Sequence, residues 1–200
     1  MEIDLSNKQW LTLGKKDTGK SGFNHWLMGQ MSGNYAVFDP GGEHQDYKND
    51  DLIVRPSVLR GDEAKDQLET FVDNITDMRE HFDYVIIDEV NRYHSKGGRL
   101  EGALGELVDM SAHYSDGMGV GFIARRPVQV HTDLRELSDY IFCFRLTGVN
   151  DIRTLDSISS GLGERVSQLD KYEFMVVEPN GNYFKHDPVD ISKLQHVKGM

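Results

Sequence analysis

Residues 13–22 read LGKKDTGKSG, and this stretch decides how the rest of the chain is interpreted. Gly14, four intervening residues and then Gly19, Lys20 and Ser21 satisfy the pattern G-x-x-x-x-G-K-[S/T]. In loops of this kind, successive backbone N–H groups point inward and cradle a phosphate, helped by the positive end of the following helix. The stretch therefore predicts a phosphate-binding loop.

The residues on either side supply the strand and the helix that such a loop requires. QWLTL, residues 9–13, is a short apolar strand that runs directly into the loop. GFNHWLMGQM follows Ser21 and predicts a helix with one apolar face. The apolar residues near that face are Phe23, Trp26, Leu27 and Met31.

Further along the chain, apolar strands alternate with amphipathic segments. Strands are predicted at 35–39, 52–54, 84–88, 119–124 and 139–146. Helical spacing is found in 61–82 (Leu68, Phe71, Val72, Ile75 and Met78) and in 99–114, and residues 171–187 predict a hairpin turned by 179–182. This alternation predicts an α/β fold: a RecA-like P-loop NTPase core with a mainly parallel central sheet flanked by helices, and a C-terminal β-hairpin. With no linker or repeat, residues 1–200 are expected to form a single P-loop ATPase domain.

The buried strand YVIID ends in the acidic pair Asp88–Glu89, which is the second feature that nucleotide hydrolysis needs. Lys20 is expected to neutralise the β- and γ-phosphates of ATP, while the Ser21 hydroxyl ligates Mg²⁺. Asp88 is expected to organise the same metal through water, and Glu89 to polarise the attacking water as general base. A glutamate in that position favours hydrolysis over phosphoryl transfer to a small substrate.

The whole loop is predicted to contact the nucleotide. Its residues are Gly14, Lys15, Lys16, Asp17, Thr18, Gly19, Lys20 and Ser21. Asp17 places negative charge beside phosphate, which weakens binding unless Lys15 or Lys16 pairs with it.

Composition narrows the class of protein. The net charge is −11, from 33 acidic and 22 basic residues, so any contact with nucleic acid is expected to be local rather than spread over the surface. This composition suits either a high-salt cytoplasm or an ordinary acidic cytosolic protein. The N-terminus predicts no signal peptide, and no apolar run has the length of a membrane helix. Cys143, the single cysteine, is expected in the core, and the eight histidines show no zinc spacing.

Four stretches, in order, resemble the FtsK–HerA superfamily of hexameric DNA-pumping ATPases. They are GKKDTGKS, VFDPGGEH, VIIDEVNRYH, and FIARRP with FRLTGVNDIRTL, within residues 9–160. The positions that match the family's turn, Walker B and later strand motifs are Asp39, Pro40, Gly42, Glu43, Asp88, Glu89, Arg92, Arg126, Pro127, Arg145, Leu146, Thr147 and Asp151. A bare motor core of this kind is similar to the genome-packaging ATPases of tailless double-stranded DNA viruses with an internal membrane, including archaeal ones.

The resemblance implies an ATP-driven double-stranded DNA translocase that works as a homo-oligomeric ring, a hexamer or alternatively a pentamer. The family's sensor glutamine falls where this chain has Arg125, which either takes over that role or marks a different way of sensing nucleotide. An arginine from one subunit is expected to reach the next subunit's site. Arg99, Arg92 and Arg126 are the candidates, with Arg99 favoured over the others, and a surface salt bridge is the alternative for each.

Partners and location follow from the same resemblance. The segment 92–102, with Lys96 and Arg99 around two glycines, is the favoured DNA-contacting loop, and the acidic segment 43–51 is disfavoured. The host cytoplasm is the expected location, with association with capsid proteins at a virion vertex and peripheral contact with a membrane left open. The alternatives are a cellular HerA-like or conjugation-type motor and a protein-assembly or export ATPase. A small-molecule kinase is least favoured because no arginine-rich lid is evident.

Overall fold

The computed structural model of the chain describes residues 4–44, 51–94, 98–110 and 117–190. These residues form one eight-stranded sheet and six α-helices. The strands are β1 (Gln9–Leu13), β2 (Tyr35–Phe38), β3 (Leu52–Val54), β4 (Tyr84–Ile87), β5 (Gly119–Ala124), β6 (Tyr140–Phe144), β7 (Phe174–Val177) and β8 (Tyr183–His186). The helices are α1 (Lys20–Gln30), α2 (Asp62–Asp77), α3 (Gly102–Met110), α4 (Thr132–Glu136), α5 (Val149–Ile158) and α6 (Leu162–Ser167).

The strand order is β3-β2-β4-β5-β1-β6-β7-β8, and the first six strands of that order run parallel. β7 pairs antiparallel with β6, and β8 antiparallel with β7, so the predicted C-terminal hairpin is confirmed. The predicted α/β class with a mainly parallel sheet is confirmed as well. β2, β4 and β5 are buried along their whole length and are continuous apolar runs, as is typical of parallel strands covered on both faces. β1 is equally buried but contains Gln9 and Thr12, whose side chains donate hydrogen bonds to the Val108 carbonyl and to Asn24 Oδ1.

Parallel pairing brings the carboxyl ends of the strands to one edge of the sheet. Leu13 at the end of β1 lies beside Ala124 of β5, and Phe38 of β2 lies beside Ile87 of β4. The residues that follow these four strands therefore meet at the same edge: Gly14, Asp39, Asp88 and Arg125. This edge is called the loop edge below.

One face of the sheet is covered by α1, whose Phe23 packs into a cluster of aromatic side chains. Its ring centroid lies 4.8 Å from those of Phe142 and Phe174 and 5.6 Å from that of Phe144. Leu27 is buried on the same face, whereas the predicted core residues Trp26 and Met31 are only partly buried. Aromatic packing of this kind fixes α1, and so the loop before it, against β6 and β7.

The opposite face holds the larger part of the core, with α2 and α3 packed on each other and on the sheet. The predicted inward residues of α2 are buried: Leu68, Phe71, Val72 and Ile75. The prediction for Met78 was wrong, since its side chain is 39% exposed. The helix ends at Asp77 and a short 3₁₀ turn follows, so Met78 no longer continues the helical spacing.

Both the start and the end of the β7–β8 hairpin lie at the loop edge. Phe174, at the start of β7, pairs with Phe144 at the end of β6, and His186, at the end of β8, pairs with Phe174. The residues just before β7 and just after β8 therefore lie near the phosphate-binding loop, and the hairpin turn lies at the far edge. In the described part of the chain, no helix combines the length and the apolar character needed to cross a bilayer.

Candidate active site

The predicted phosphate-binding loop connects β1 directly to α1. Gly19 caps the helix with φ 111°, a left-handed conformation that L side chains rarely adopt, and Asp17 also has a positive φ of 63°. The Thr18 hydroxyl donates a 2.8 Å hydrogen bond to the Lys15 carbonyl, which closes the loop on itself. A Cβ on Gly14 would stand 2.7 Å from the Phe144 Cβ, so this position requires glycine for space.

The acidic pair lies where the sequence places it, at the carboxyl end of β4. Both side chains are largely buried, with Asp88 7% and Glu89 8% exposed. Glu89 has φ 53°, and its backbone N–H donates a 2.7 Å bond to Asp88 Oδ1. A non-glycine residue held in the left-handed region at a loop edge is a common feature of functional sites. This turn aims both carboxylates at the space in front of the phosphate loop.

Two arginines hold the carboxylate of Glu89. Arg92 Nε donates to Oε2 at 2.8 Å, and Arg125 Nε donates to Oε1 at 2.5 Å. Arg125 follows β5 directly, and β5 pairs with β4, so sheet register brings its side chain to the acid. Each oxygen accepts one charge-assisted hydrogen bond and keeps a second lone pair, with which it can still accept a hydrogen bond from water.

Glu43 is a member of the site that sequence reasoning matched to a motif but gave no role. The Ser21 hydroxyl donates a hydrogen bond to Glu43 Oε2. Asp39 fixes the turn that carries Glu43, because its two oxygens accept the backbone N–H groups of Glu43 (3.1 Å) and His44 (3.0 Å). The sequence could have placed Glu43 in the site, because β2 and β4 end at the same edge of the sheet and an acid in the turn after β2 therefore comes near Asp88.

Behind Asp88 lies a buried polar cluster that no spacing in the sequence indicated. Asp39, His44 and Asp88 each offer one potential ligand atom, and these atoms lie within 4.8 Å of one another. His44 Nε2 is 3.6 Å from Asp88 Oδ2, and the ring of His25 stands 5.2 Å from that of His44. Burial, followed by the neighbouring His44, lowers the pKa of His25 to about 4. The cluster restricts how Asp88 can turn.

The donors around the loop fit magnesium. Ser21, Glu43 and Asp88 line one cavity and offer hydroxyl and carboxylate oxygens, the hard ligands that Mg²⁺ prefers. The imidazole of His44 is a softer donor, better suited to zinc or another transition metal. The oxygen set in front of the loop is therefore the one that suits a nucleotide-bound Mg²⁺.

A cavity of about 720 Å³ runs along the loop edge. The predicted site residues that line it are Lys15, Lys16, Asp17, Gly19, Lys20, Ser21, Asp88, Glu89 and Arg125. Gly14 and Thr18, the two other residues of the predicted loop, do not line it. Lys15 Nζ donates to the Thr147 hydroxyl at 3.3 Å.

The other arginines predicted as candidates lie outside this cavity or in other ion pairs. Arg99 is highly exposed and donates to Asp109 at 3.1 Å, away from the cavity of its own chain. Arg126 Nε contacts both oxygens of the fully buried Asp151 at 3.1 Å, which anchors α5 to the turn after β5. Part of the predicted DNA-contacting segment, residues 95–97, lies outside the described residues, as do residues 45–50 of the disfavoured one.

A phosphate loop between β1 and α1, with an acidic pair two strands away on a parallel sheet, defines the fold of a P-loop NTPase. The comparisons with solved structures agree. The genome packaging NTPase B204 of Sulfolobus turreted icosahedral virus 2, in complex with AMPPCP, superposes with a TM-score of 0.74 at 17% identity, covering 92% of this chain and 98% of that one. B204 of Sulfolobus turreted icosahedral virus, described as a DNA-packaging ATPase, gives 0.71 at 18% identity, covering 94% and 100%. The predicted resemblance to this group is thus confirmed at the level of the fold.

A second kind of protein shares the fold less closely. ATPases 2 and 3 of EssC from Geobacillus thermodenitrificans superpose with a TM-score of 0.58 at 12% identity, covering 98% of this chain and 43% of that one. The cytoplasmic domain of the type VII secretion ATPase EccC from Thermomonospora curvata gives 0.54 at 12% identity, covering 94% and 24%. No family model and no curated protein matches the chain.

Proposed function

We propose that this protein is an ATP-driven double-stranded DNA translocase that hydrolyses ATP with Mg²⁺, and that it packages a viral genome. One observation carries the proposal. A single cavity at the loop edge contains both the phosphate-binding loop and the acidic pair, the two parts that nucleotide hydrolysis requires. The fold shared over nearly the whole length with B204, a genome packaging NTPase, supports the packaging role.

Different residues of the cavity are assigned to phosphate binding, to Mg²⁺ binding and to activation of water. The backbone N–H groups of the loop and the Lys20 ammonium bind the phosphates, at the positive end of α1. Ser21 and Asp88 would hold Mg²⁺, with Glu43 beside them, and the ion would neutralise charge that develops on the phosphates. Glu89 orients the attacking water and accepts its proton through a lone pair that Arg92 and Arg125 do not occupy.

Arg125 is proposed to take the place of the sensor side chain. It contacts Glu89 and, like Glu89, lines the cavity, where a γ-phosphate would compete for its guanidinium. Transfer of Arg125 from the acid to the phosphate would remove a positive charge from Glu89 Oε1 only when ATP is bound. Such an exchange would link the presence of the γ-phosphate to activation of the base.

The remaining parts of the proposal concern assembly. The protein acts as a homo-oligomeric ring, a hexamer or alternatively a pentamer, and Arg99 reaches the neighbouring subunit's site. Its high exposure and its distance from its own cavity are compatible with a role between subunits. The segment 92–102 faces DNA in the channel, so that an acidic protein needs basic groups only there. Its place of action is the host cytoplasm and a capsid vertex of an archaeal virus.

The experiment is ATP hydrolysis with and without linear double-stranded DNA, at low and high KCl. The wild type is compared with Lys20→Ala and Glu89→Gln, and Phe184→Ala, an exposed aromatic on β8 outside the cavity, is the matched control. We expect DNA to raise turnover several-fold, the first two variants to lose activity, and the control to behave as wild type. An ATP turnover that DNA does not change at any salt concentration would contradict the proposed translocase function.

A protein-assembly or export ATPase is the second candidate, favoured by the fold shared with EssC and EccC. The same assay separates it, because an export ATPase should respond to a protein substrate rather than to DNA. A cellular HerA-like or conjugation-type motor would respond to DNA as the packaging enzyme does. Binding to capsid proteins would then distinguish the two DNA motors.

A further inference from the structure

The residues that line the cavity at the loop edge form two groups of different chemistry, called its charged end and its apolar end below. The charged end includes Lys15, Lys16 and Lys20 of the loop, cations suited to a chain of phosphates. The apolar end consists of Phe144, Tyr172, Pro188 and Val189, with Lys171 lining the cavity next to Tyr172. A volume of about 720 Å³ exceeds what a triphosphate alone would fill and lies within the ordinary range for small-ligand sites.

The apolar end is built by the hairpin. Tyr172 lies two residues before β7, and Pro188 and Val189 follow β8, so both ends of the hairpin meet at the loop edge. Val189 packs on the aromatic core beneath α1, which fixes this segment beside the loop. The two walls come from residues that are adjacent only because β7 and β8 pair.

Tyr172 is held there in an unfavourable conformation and remains partly exposed. Its φ is 72°, in the left-handed region that a bulky side chain rarely enters, and it is 47% exposed. Its ring packs against the phosphate loop: a Cβ on Gly19 would lie 3.0 Å from Tyr172 Cδ1. Lys171 Nζ lies 4.7 Å from the ring centroid, so a cation already rests on the ring. A strained, exposed aromatic beside a binding loop indicates a contact with a ligand.

We propose that Tyr172 is the stacking platform for the nucleobase, with Pro188 and Val189 as the facing apolar wall. This inference rests on the proposed nucleotide-binding function of the same cavity. Every base has a π-face, so stacking adds affinity without selecting one base. The platform therefore strengthens the binding of ATP and GTP alike and adds nothing to the binding of a triphosphate that has no base.

The test is calorimetric titration of the full chain with ATP, GTP and inorganic tripolyphosphate, each with Mg²⁺. We expect Tyr172→Ala to weaken ATP and GTP binding about tenfold and to leave tripolyphosphate unchanged, while Tyr172→Phe binds all three as wild type does. Tyr172→Asn is a second variant, because asparagine tolerates positive φ and so removes the ring without folding strain. Phe184→Ala is the control for loss of an exposed aromatic.

The outcomes separate this inference from the function on which it rests. Equal ATP affinity in wild type, Tyr172→Ala and Tyr172→Asn would overturn the platform and leave the nucleotide site intact. An equal loss for ATP and tripolyphosphate would also overturn it, since Tyr172 would then only support the loop through Gly19. If wild type bound neither ATP nor tripolyphosphate, the proposed function itself would fail, and the platform with it.

Discussion

The charged end and the apolar end of the cavity are built by different parts of one sheet. The charged end comes from turns that follow β1, β2, β4 and β5, parallel strands whose carboxyl ends coincide. The apolar end comes from the two ends of an antiparallel hairpin. Parallel strands thus bring together the residues proposed to act on phosphate, and the hairpin adds the surface proposed to contact the nucleobase. The charged end should control turnover, and the apolar end affinity.

The largest effect is expected from removing the reacting groups of the charged end. Lys20→Ala and Glu89→Gln should each lower ATP turnover by about a hundredfold or more, because a phosphate-binding cation or the general base is lost. Steady-state phosphate release measures this, with circular dichroism to show that the fold is retained. Turnover of Glu89→Gln within a few-fold of wild type would move the base to another residue.

A pair of glycine variants tests whether backbone strain affects ATP binding only at the loop edge. Gly19 and Gly181 both have positive φ, 111° and 81°, so alanine should cost each about 1 kcal/mol or more in stability. Only Gly19→Ala should also lose ATP binding, because its Cβ would press on Tyr172, whereas nothing lies within 4 Å of a Cβ on Gly181. Urea unfolding and ATP titration measure the two effects. Equal loss of ATP binding in both variants would show that the far hairpin turn also shapes the site.

Glu43→Gln tests whether the acid that contacts Ser21 belongs to the metal site. Removing its charge should raise the Mg²⁺ concentration for half-maximal ATP hydrolysis about tenfold, in the range seen for groups that orient metal ligands. Glu164→Gln, an exposed acid on α6 outside the cavity, is the matched control and should leave the Mg²⁺ dependence unchanged. An unaltered Mg²⁺ dependence in both variants would reduce Glu43 to a structural role.

The smallest effect concerns Cys143, which lies in β6 beside Leu13 of β1 and Met175 of β7. Burial raises the pKa of its thiol from 9.0 to about 12, as predicted for a core residue. At pH 8 the folded protein should therefore hold about a thousandfold less thiolate than the unfolded chain, and label correspondingly slowly with a thiol reagent. Fast labelling of native protein would mean that the hairpin separates from β6 readily.

The sequence patterns predicted the phosphate-binding loop and the acidic pair of the charged end because each is a short continuous stretch of the chain. The loop is one continuous motif, and Asp88–Glu89 follows directly from an apolar strand. The fold class followed from the alternation of strands and helices. The patterns could not give which side chains pair between neighbouring strands: the contact of Arg125 with Glu89 depends on the register of β4 and β5.

The apolar end was not predicted either, because it is formed by strand pairing between residues that are distant in the sequence. Tyr172 and Val189 reach the loop only through pairing of β6, β7 and β8, more than a hundred residues beyond Gly19 in the sequence. The contact between His44 and Asp88 was not predicted for the same reason, because the two residues are distant in the chain and come close only where adjacent strands end. The wrong placement of Met78 has a local cause: spacing alone did not show that α2 stops at Asp77.

Movement along DNA is the central property proposed, and displacement of a triplex-forming strand from linear duplex DNA measures it most directly. Wild-type protein with ATP and Mg²⁺ should displace the third strand, whereas Glu89→Gln with ATP, or wild type with a non-hydrolysable analogue, should not. Protein that hydrolyses ATP under the same conditions and leaves the third strand bound would show an ATPase that does not translocate on DNA.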